Sequence, residues 1–167
     1  IIETMRNQYS DLDSDEQNFL NHIDGIYMYQ TGNFKSCIET LKKIDNNYSN
    51  LEYYYHLAIA YHSIQSTIFS YFYGQKALQF FKSTLNILRI VDTETLLLVE
   101  LNSTEPYDMD ETKQQYEKLL KVCESVNCID RASKIYHNIA FEYYRRKRYS
   151  EAKQSYEKAL ELITEKT

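Results

Sequence analysis

The sequence predicts an all-α fold of paired helices, and three observations support this prediction. Glycine and proline are scarce, with 3 and 1 among 167 residues. Sandwiches, barrels and doubly wound sheets need many tight turns, so these classes are nearly excluded. Hydrophobic residues make up 43% and charged residues 26% of the chain, which is typical of a globular domain with a sizeable core. Finally, a pattern of small and aromatic residues recurs at intervals of 33, 42 and 40 residues.

The clearest unit of this repeat spans residues 132–160. Small and aromatic residues occupy the positions expected in a tetratricopeptide repeat (TPR): Tyr136, Ile139, Ala140, Tyr143, Ala152, Tyr156 and Ala159. Two antiparallel helices must approach closely, so small residues stand where the backbones cross and aromatic rings fill the gaps beside them. Residues 132–160 are therefore predicted to form one TPR hairpin.

Three earlier units follow the same spacing with decreasing clarity. The first contains Gly25, Met28, Gly32, Cys37, Leu41 and Ile44, and the second contains Tyr54, Leu57, Ala58, Tyr61, Ser70 and Ala77. The third aligns at Thr112, Tyr116 and Leu119 but departs from the pattern at Glu100 and Asn102. Four pairs predict a right-handed TPR α-solenoid whose concave face is formed by the first helix of each pair.

Eight main helices are predicted from these units. They cover residues 14–31, 34–46, 50–65, 68–83, 87–102, 109–125, 129–146 and 149–164. Ser14 and Gln17 are predicted to form a capping box on the first helix, and Gly32 to end that helix in the left-handed conformation. Asp108 or Asp110 is predicted to cap the sixth helix. Residues 1–10 are interpreted as the tail of a preceding helix.

We interpret residues 1–167 as a single TPR domain. The chain begins with Ile1 rather than methionine and stops soon after a helical pattern. It is therefore expected to be a fragment of a longer protein, with an N-terminal effector domain that this sequence does not contain.

Composition and motifs argue against several functions. The net charge of −5 and the pI near 5.4 oppose electrostatic binding of nucleic acid by this domain. No glycine-rich phosphate loop, HExxH or GxSxG occurs, so no enzymatic activity is predicted. Cys37, Cys123 and Cys128 have no metal-ligand spacing, so neither a metal nor a cofactor is expected. They are expected to be reduced thiols in a cytoplasmic protein without a membrane span.

Two stretches carry a resemblance to a known family. Residues 56–71 (HLAIAYHSIQSTIFSY), leading into 76–81 (KALQFF), resemble the second-repeat region of bacterial cytoplasmic receptors for signalling peptides, the Rap, Rgg, NprR, PlcR and PrgX group. Residues 85–90 (LNILRI) are similar to the start of the next long helix in those proteins. The resemblance extends from about residue 19 to residue 162, at the level of repeat spacing and these motifs.

This resemblance implies a function in peptide sensing. Members of the group bind short, re-imported peptides on the concave TPR face. Most carry an N-terminal helix-turn-helix that binds DNA, whereas the Rap branch carries a helical bundle that acts on response regulators. The chain is thus expected to be the peptide-sensing domain of a quorum-sensing type transcriptional regulator, contacting DNA only through the missing N-terminal domain. A Rap-like regulator of response-regulator phosphotransfer, a generic TPR protein-protein interaction scaffold and a homodimer remain open alternatives.

The residues expected to contact a peptide lie on one stripe of each first helix. In the last repeat they are Lys134, His137, Asn138, Phe141, Tyr144 and Arg145, in the second repeat chiefly Tyr55 and His62, and in the third Leu97 and Leu101.

Each residue type suits a different part of a peptide. The Asn138 amide can donate to and accept from a peptide backbone, and Lys134 and Arg145 can hold a carboxylate. The aromatic residues can form apolar pockets. Structural alternatives are a helix-bridging Asn138, solvated cations and packing aromatics. His22 and His62 are interpreted as polar edge residues.

Overall fold

The computed structural model describes residues 12–104 and 108–164. Within these residues the chain forms eight α-helices and no strand. The helices are α1 (Ser14–Gln30), α2 (Phe34–Leu41), α3 (Tyr53–Ser63), α4 (Thr67–Ser83), α5 (Ile87–Thr104), α6 (Met109–Ser125), α7 (Ile129–Arg145) and α8 (Tyr149–Thr164). The prediction of an all-α TPR fold with four helix pairs is confirmed. None of these eight helices is long and apolar enough to cross a membrane. The helix tail predicted for residues 1–10 lies outside the described residues.

The largest difference from the predicted bounds lies between α2 and α3. The second helix was expected to continue to residue 46, but α2 ends at Leu41. There the backbone tightens, because the N–H groups of Lys43 and Ile44 donate to carbonyls only three residues earlier. The Asp45 N–H then donates to the side chain of Asn18 on α1 at 2.9 Å. A side chain from the preceding helix thus captures the chain as it leaves α2.

The chain divides into two compact units, each of which contains two hairpins. Unit 1 (residues 1–84) contains α1 to α4, and unit 2 (residues 85–167) contains α5 to α8. In unit 1, α1 packs on α2, α3 on α4, and α1 and α2 each contact α3. In unit 2, α5 packs on α6, α7 on α8, and α5 and α6 each contact α7. Contact between the first helices of successive pairs is the arrangement expected of stacked TPR hairpins.

Most repeat positions predicted from the sequence are buried in the core of their unit, but Tyr156 is 38% exposed. Unit 1 buries Cys37, Leu41, Leu57 and Tyr61 in one cluster, while unit 2 buries Tyr116, Cys123, Ile135, Ile139, Tyr143 and Ala152 in another. Gly25 is buried on α1, and a Cβ built on it would overlap the side chain of Leu41 on α2. Glycine at this position therefore permits the close approach of the two helices.

Helix starts correct one expectation and confirm another. The capping box of α1 is formed by Asp13 and Glu16, not by Ser14 and Gln17. The Asp13 carboxylate accepts from the Glu16 N–H at 2.9 Å, and the Glu16 carboxylate accepts from the Asp13 N–H at 3.0 Å. Asp and Ser are both good N-cap residues. In this helix the upstream residue, Asp13, is the cap, and Ser14 is the first helical residue. Asp108 caps α6 by accepting from the Asp110 N–H at 3.1 Å.

Four helices end in the same Schellman motif. A residue with positive φ follows each helix, namely Gly32 (78°), Gln65 (59°), Asn127 (52°) and Lys147 (60°). The next N–H donates to the carbonyl five residues earlier, as Asn33 to Met28 (2.8 Å), Ser66 to Tyr61 (2.9 Å), Cys128 to Cys123 (2.9 Å) and Arg148 to Tyr143 (3.0 Å). In this motif a contact between the two side chains of such a pair commonly accompanies the bond. The predicted left-handed conformation of Gly32 is thus confirmed, and it is one instance of a recurring turn.

Candidate functional site

Four of the predicted peptide-contacting residues form a narrow stripe along α7. At 100° per residue, Lys134, Asn138, Phe141 and Arg145 fall within an arc of about 60°, and we call this set the α7 stripe. Lys134, Phe141 and Arg145 are exposed, and Asn138 is half-buried. The opposite side of α7 carries the buried residues Ile135, Ile139 and Tyr143. The periodic spacing of apolar residues along α7 therefore determines which side of the helix faces the core, and the α7 stripe lies on the other side.

Asn138 has the chemistry expected of a ligand contact. Its side chain makes no hydrogen bond with any residue that the structure describes. An amide carries two donor hydrogens and one acceptor oxygen, so all of these remain for water or a ligand. The structural alternative was that Asn138 bridges neighbouring helices. No hydrogen bond of its side chain to the described residues supports that alternative.

The equivalent residue of the second repeat is used differently. His56 stands on α3 at the repeat position of Asn138, but it is 7% exposed. Its Nδ1 lies 3.1 Å from Nε2 of His22 on α1. At this repeat position, His56 is therefore buried in the packing of unit 1, whereas Asn138 of unit 2 is half-buried and partly accessible to solvent.

Arg145 is held in place by unit 2 but is not buried. Its Nη1 donates to the Asn102 carbonyl of α5 at 3.4 Å and lies 3.5 Å from Oε1 of Glu142. Glu142 is only 3% exposed at its side chain and also pairs with Arg146. The Arg145 side chain remains 42% exposed, so the guanidinium is oriented and can still meet an anion. Lys134 forms no ion pair within the described residues and stands free at the start of the stripe.

His137 and Tyr144 lie at the edge of the stripe nearest α8. The His137 ring meets Tyr156 edge-on at a centroid distance of 5.3 Å, and the Tyr144 ring meets Tyr149 at 5.6 Å. Both side chains are exposed all the same. They pack partly within their own repeat, which is the structural alternative considered for aromatics on TPR helices.

Tyr55 and His62 lie in unit 1, on one face of α3 seven residues apart. Tyr55 is half-buried, with its ring 6.0 Å from that of Phe81 and 5.7 Å from that of His56. His62 is exposed in the last turn of α3. Unit 1 thus offers a packed aromatic and an exposed imidazole, whereas the α7 stripe combines an amide, an aromatic and two cations.

The interpretation of His22 as an edge residue is wrong. His22 is 4% exposed and bonds to His56, and its ring meets those of Tyr48 and Tyr53 at 6.5 and 6.4 Å. Burial lowers its pKa, and the charge of Glu52 opposes that effect. A signal for this pair was present in the sequence, because the two histidines are 34 residues apart, the standard length of one TPR repeat.

Two cavities in unit 2 lie apart from the stripe. The larger, of about 520 Å³, is lined by residues of α6, the first half of α7 and Leu162 of α8, among them Cys123, Cys128 and Tyr136. The smaller, of about 210 Å³, lies between α5 and α6 and includes the predicted contributors Leu97 and Leu101. No group of three or more potential metal ligands occurs within residues 12–104 and 108–164.

Comparisons with known proteins agree with this architecture. The family model of the tetratricopeptide repeat matches residues 133–165, which correspond to α7 and α8. No match to a curated protein was found.

Several solved structures share the fold. A Rap protein complexed with Competence and Sporulation Factor aligns with a TM-score of 0.78 and 19% identity, over 98% of this chain and 47% of that one. The Rap conjugation gene regulator of plasmid pLS20, in complex with the Phr* peptide, gives 0.70 and 18%, over 86% and 42%. Aspartyl phosphate phosphatase F from Bacillus subtilis gives 0.71 and 16%, over 98% and 44%.

These similarities concern the fold. The identities are low, and the chain spans less than half the length of each of these proteins. The expected resemblance to the peptide-receptor group is confirmed at this level. The chain therefore contains a tetratricopeptide repeat at residues 133–165 and resembles the Rap proteins in its all-helical TPR fold.

Proposed function

We propose that this chain is a peptide-sensing TPR domain that binds a short signalling peptide through the α7 stripe and relays binding to an effector domain. The observation that carries the proposal is the half-buried amide of Asn138, which makes no hydrogen bond to the described residues. A half-buried amide gains most from a ligand that offers a donor and an acceptor together. An extended peptide backbone offers that pair at every residue.

The neighbours of Asn138 suit the remaining parts of such a ligand. Phe141 is 47% exposed and next along the stripe, so it can cover an apolar side chain of the peptide. Lys134 and Arg145 lie at opposite ends of the stripe, about 17 Å apart at 1.5 Å per residue. A cation at each end can hold a carboxylate without crowding the amide. The proposed role is binding, without catalysis or a cofactor, in a cytoplasmic protein.

The nature of the effector separates two candidates. The first is a transcriptional regulator, in which DNA is contacted by an N-terminal domain. The second is a Rap-like regulator of response-regulator phosphotransfer. The fold similarity to the Rap conjugation gene regulator in complex with the Phr* peptide supports peptide binding in either case. The similarity to aspartyl phosphate phosphatase F favours the second candidate.

A selection with random peptides tests the binding proposal. The chain would be immobilised and exposed to a display library of short random peptides, and enriched sequences would be synthesised with a fluorophore for anisotropy. We expect a shared peptide motif whose binding is lost in Asn138→Ala and kept in Gln154→Ala, which removes an exposed amide of α8. Failure to enrich any peptide, or equal binding by both variants, would count against the proposal and favour a scaffold for folded partners.

The sequence of the natural gene upstream of the Ile1 codon distinguishes the effectors. A segment patterned as a helix-turn-helix would support the transcriptional regulator. A helical bundle without that pattern would support the phosphotransfer regulator. A start codon directly before Ile1 would contradict both and leave a free-standing TPR adaptor.

A further inference from the structure

The turn between α6 and α7 brings two cysteines, Cys123 and Cys128, close together. It is one of the four Schellman turns, with Asn127 at φ 52°. The Cys128 N–H donates to the Cys123 carbonyl at 2.9 Å, and the Asn127 N–H donates to the Glu124 carbonyl at 3.2 Å. In this motif the residue after the left-handed position packs its side chain on the residue five earlier. Here those two residues are Cys128 and Cys123, and Cys128 packs against the buried cluster that contains Cys123.

The Schellman turn after α7 shows this packing in a second place in the chain. At the end of α7, the Arg148 guanidinium lies 4.8 Å from the centroid of the Tyr143 ring, its partner five residues earlier. The corresponding pairs after α1 and α3 are Met28 with Asn33 and Tyr61 with Ser66. Among these described turns, only the one after α6 brings together two groups that can form a covalent bond. The Schellman turn therefore brings residues 123 and 128 together, and both of these residues are cysteines.

The two thiols differ in accessibility, and both line the same cavity. Cys123 is 1% exposed, whereas Cys128 is half-buried. Both line the cavity of about 520 Å³ between α6, α7 and α8, together with Lys121, Asn127 and Tyr136. A small oxidant entering this cavity meets Cys128 before Cys123. Burial raises the pKa of the Cys123 thiol to about 12, and the neighbouring Cys128 acts in the same direction, so Cys123 is a poor first nucleophile.

We propose that Cys123 and Cys128 are a redox-active dithiol that closes to an intramolecular disulfide when a peroxide enters this cavity. Cys128 loses its thiol proton and its thiolate attacks one oxygen of hydrogen peroxide. The O–O bond breaks, and the hydroxide that leaves takes up that proton to become water, which gives a sulfenic acid on Cys128. Cys123 then loses its thiol proton and attacks the Cys128 sulfur. The S–O bond breaks and a second water leaves as the S–S bond forms. Two thiols and one hydrogen peroxide thus give one disulfide and two waters.

The sequence makes this disulfide easy to detect. Trypsin cleaves after Lys121 and Arg131, so Cys123 and Cys128 fall in one peptide, residues 122–131, that contains no other cysteine. The native chain would be treated with hydrogen peroxide, quenched with catalase, unfolded, alkylated with N-ethylmaleimide, digested without reductant and analysed by mass spectrometry. We expect the peptide to lose two hydrogens and take up no maleimide. Cys37, which is buried in unit 1, should remain alkylable at that peroxide concentration.

Two serine variants test the order of the steps. Cys123→Ser should trap the sulfenic acid, so that dimedone labels Cys128 in the treated protein. Cys128→Ser should leave Cys123 reduced, because the accessible sulfur is missing. Dimedone labelling confined to Cys123, or equally fast oxidation of Cys123 without Cys128, would overturn the assignment.

A comparison of the folded and unfolded chain tests the role of the turn. The disulfide and dithiol would be equilibrated in a glutathione buffer with and without urea. We expect the folded chain to favour the disulfide on the order of tenfold more than the unfolded chain, because the turn holds the two cysteines near each other. The proposal would be refuted if the folded chain favoured the dithiol more than the unfolded chain does. It would also be refuted if peroxide gave only sulfinic acid at Cys128.

Discussion

His22 and His56 share a hydrogen bond of 3.1 Å between α1 and α3 and are both buried. Two neutral imidazoles can share one hydrogen bond if one donates and the other accepts. The pair therefore joins the first helices of two successive repeats. Tyr48 and Tyr53 enclose it.

We expect this pair to make unit 1 less stable in mild acid. Burial lowers the pKa of His22, although Glu52 opposes the effect, so the unfolded state binds a proton more readily than the folded state. Stability should be complete above an unfolded pKa of about 6.5, and should fall as the pH drops from there towards the lower folded-state value. Urea midpoints at pH 7.5 and 5.5 measure this loss. His22→Gln should reduce the difference between the two midpoints. An unchanged difference would show that the loss of stability comes from protonation of a group other than His22.

Gly25→Ala should destabilise unit 1 although alanine favours helices. A Cβ at this position overlaps the Leu41 side chain, and overpacking costs about 1–3 kcal/mol, against a gain of about 1 kcal/mol in helix propensity. The midpoint of urea unfolding should therefore fall. In Gly25→Ala with Leu41→Ala the overlap is removed, so the double variant should lose less than the sum of the two single changes. Additive losses would indicate that Gly25 does not serve the approach of α2 to α1.

The elements that sequence reasoning predicted well are those set by local pattern and by repeat spacing. Ala140 and Tyr143 indicated the register of the last hairpin because close helix packing demands those sizes at those positions. The cap of α1 was misplaced by one residue, since Asp13 and Ser14 are both good caps and only the backbone path selects one. The hydrogen bond from Arg145 to the Asn102 carbonyl could not be predicted. It joins residues 43 apart, and it depends on side-chain geometry that the repeat pattern of the sequence does not specify.

Tyr143 and its neighbour Tyr144 should respond very differently to truncation. Tyr143 is 6% exposed and covered by Arg148, whereas Tyr144 is 57% exposed. Tyr143→Ala should cost about 3–5 kcal/mol of unfolding free energy, as expected for a buried aromatic. Tyr144→Ala should cost less than about 1 kcal/mol. Equal losses in denaturant unfolding would show that the register of α7 is wrong.

Glu142→Gln should destabilise unit 2 through its two arginines. The Glu142 carboxylate is buried and pairs with Arg145 and Arg146, so neutralising it weakens two charge-assisted bonds at about 1–3 kcal/mol in total. The matched control is Glu157→Gln, which removes the charge from an exposed pair with Lys153 at 3.7 Å and should cost less than about 0.5 kcal/mol. The comparison is made by urea unfolding at one pH and salt concentration. A loss no larger than the control's would show that solvent already screens the Glu142 pairs.

Lys134 should make peptide binding sensitive to a terminal carboxylate. It is an exposed cation at one end of the α7 stripe, without an ion pair among the described residues, so a peptide with a free carboxylate should bind on the order of tenfold more tightly than its amidated form. Because the contact is exposed, this preference should shrink as salt is raised. Anisotropy with the two forms of one selected peptide measures it. Lys134→Ala should abolish the preference, and Lys153→Ala, on α8, should keep it. A preference that survives in Lys134→Ala but disappears in Arg145→Lys would move the carboxylate to the other end of the stripe and reverse the direction of the bound peptide.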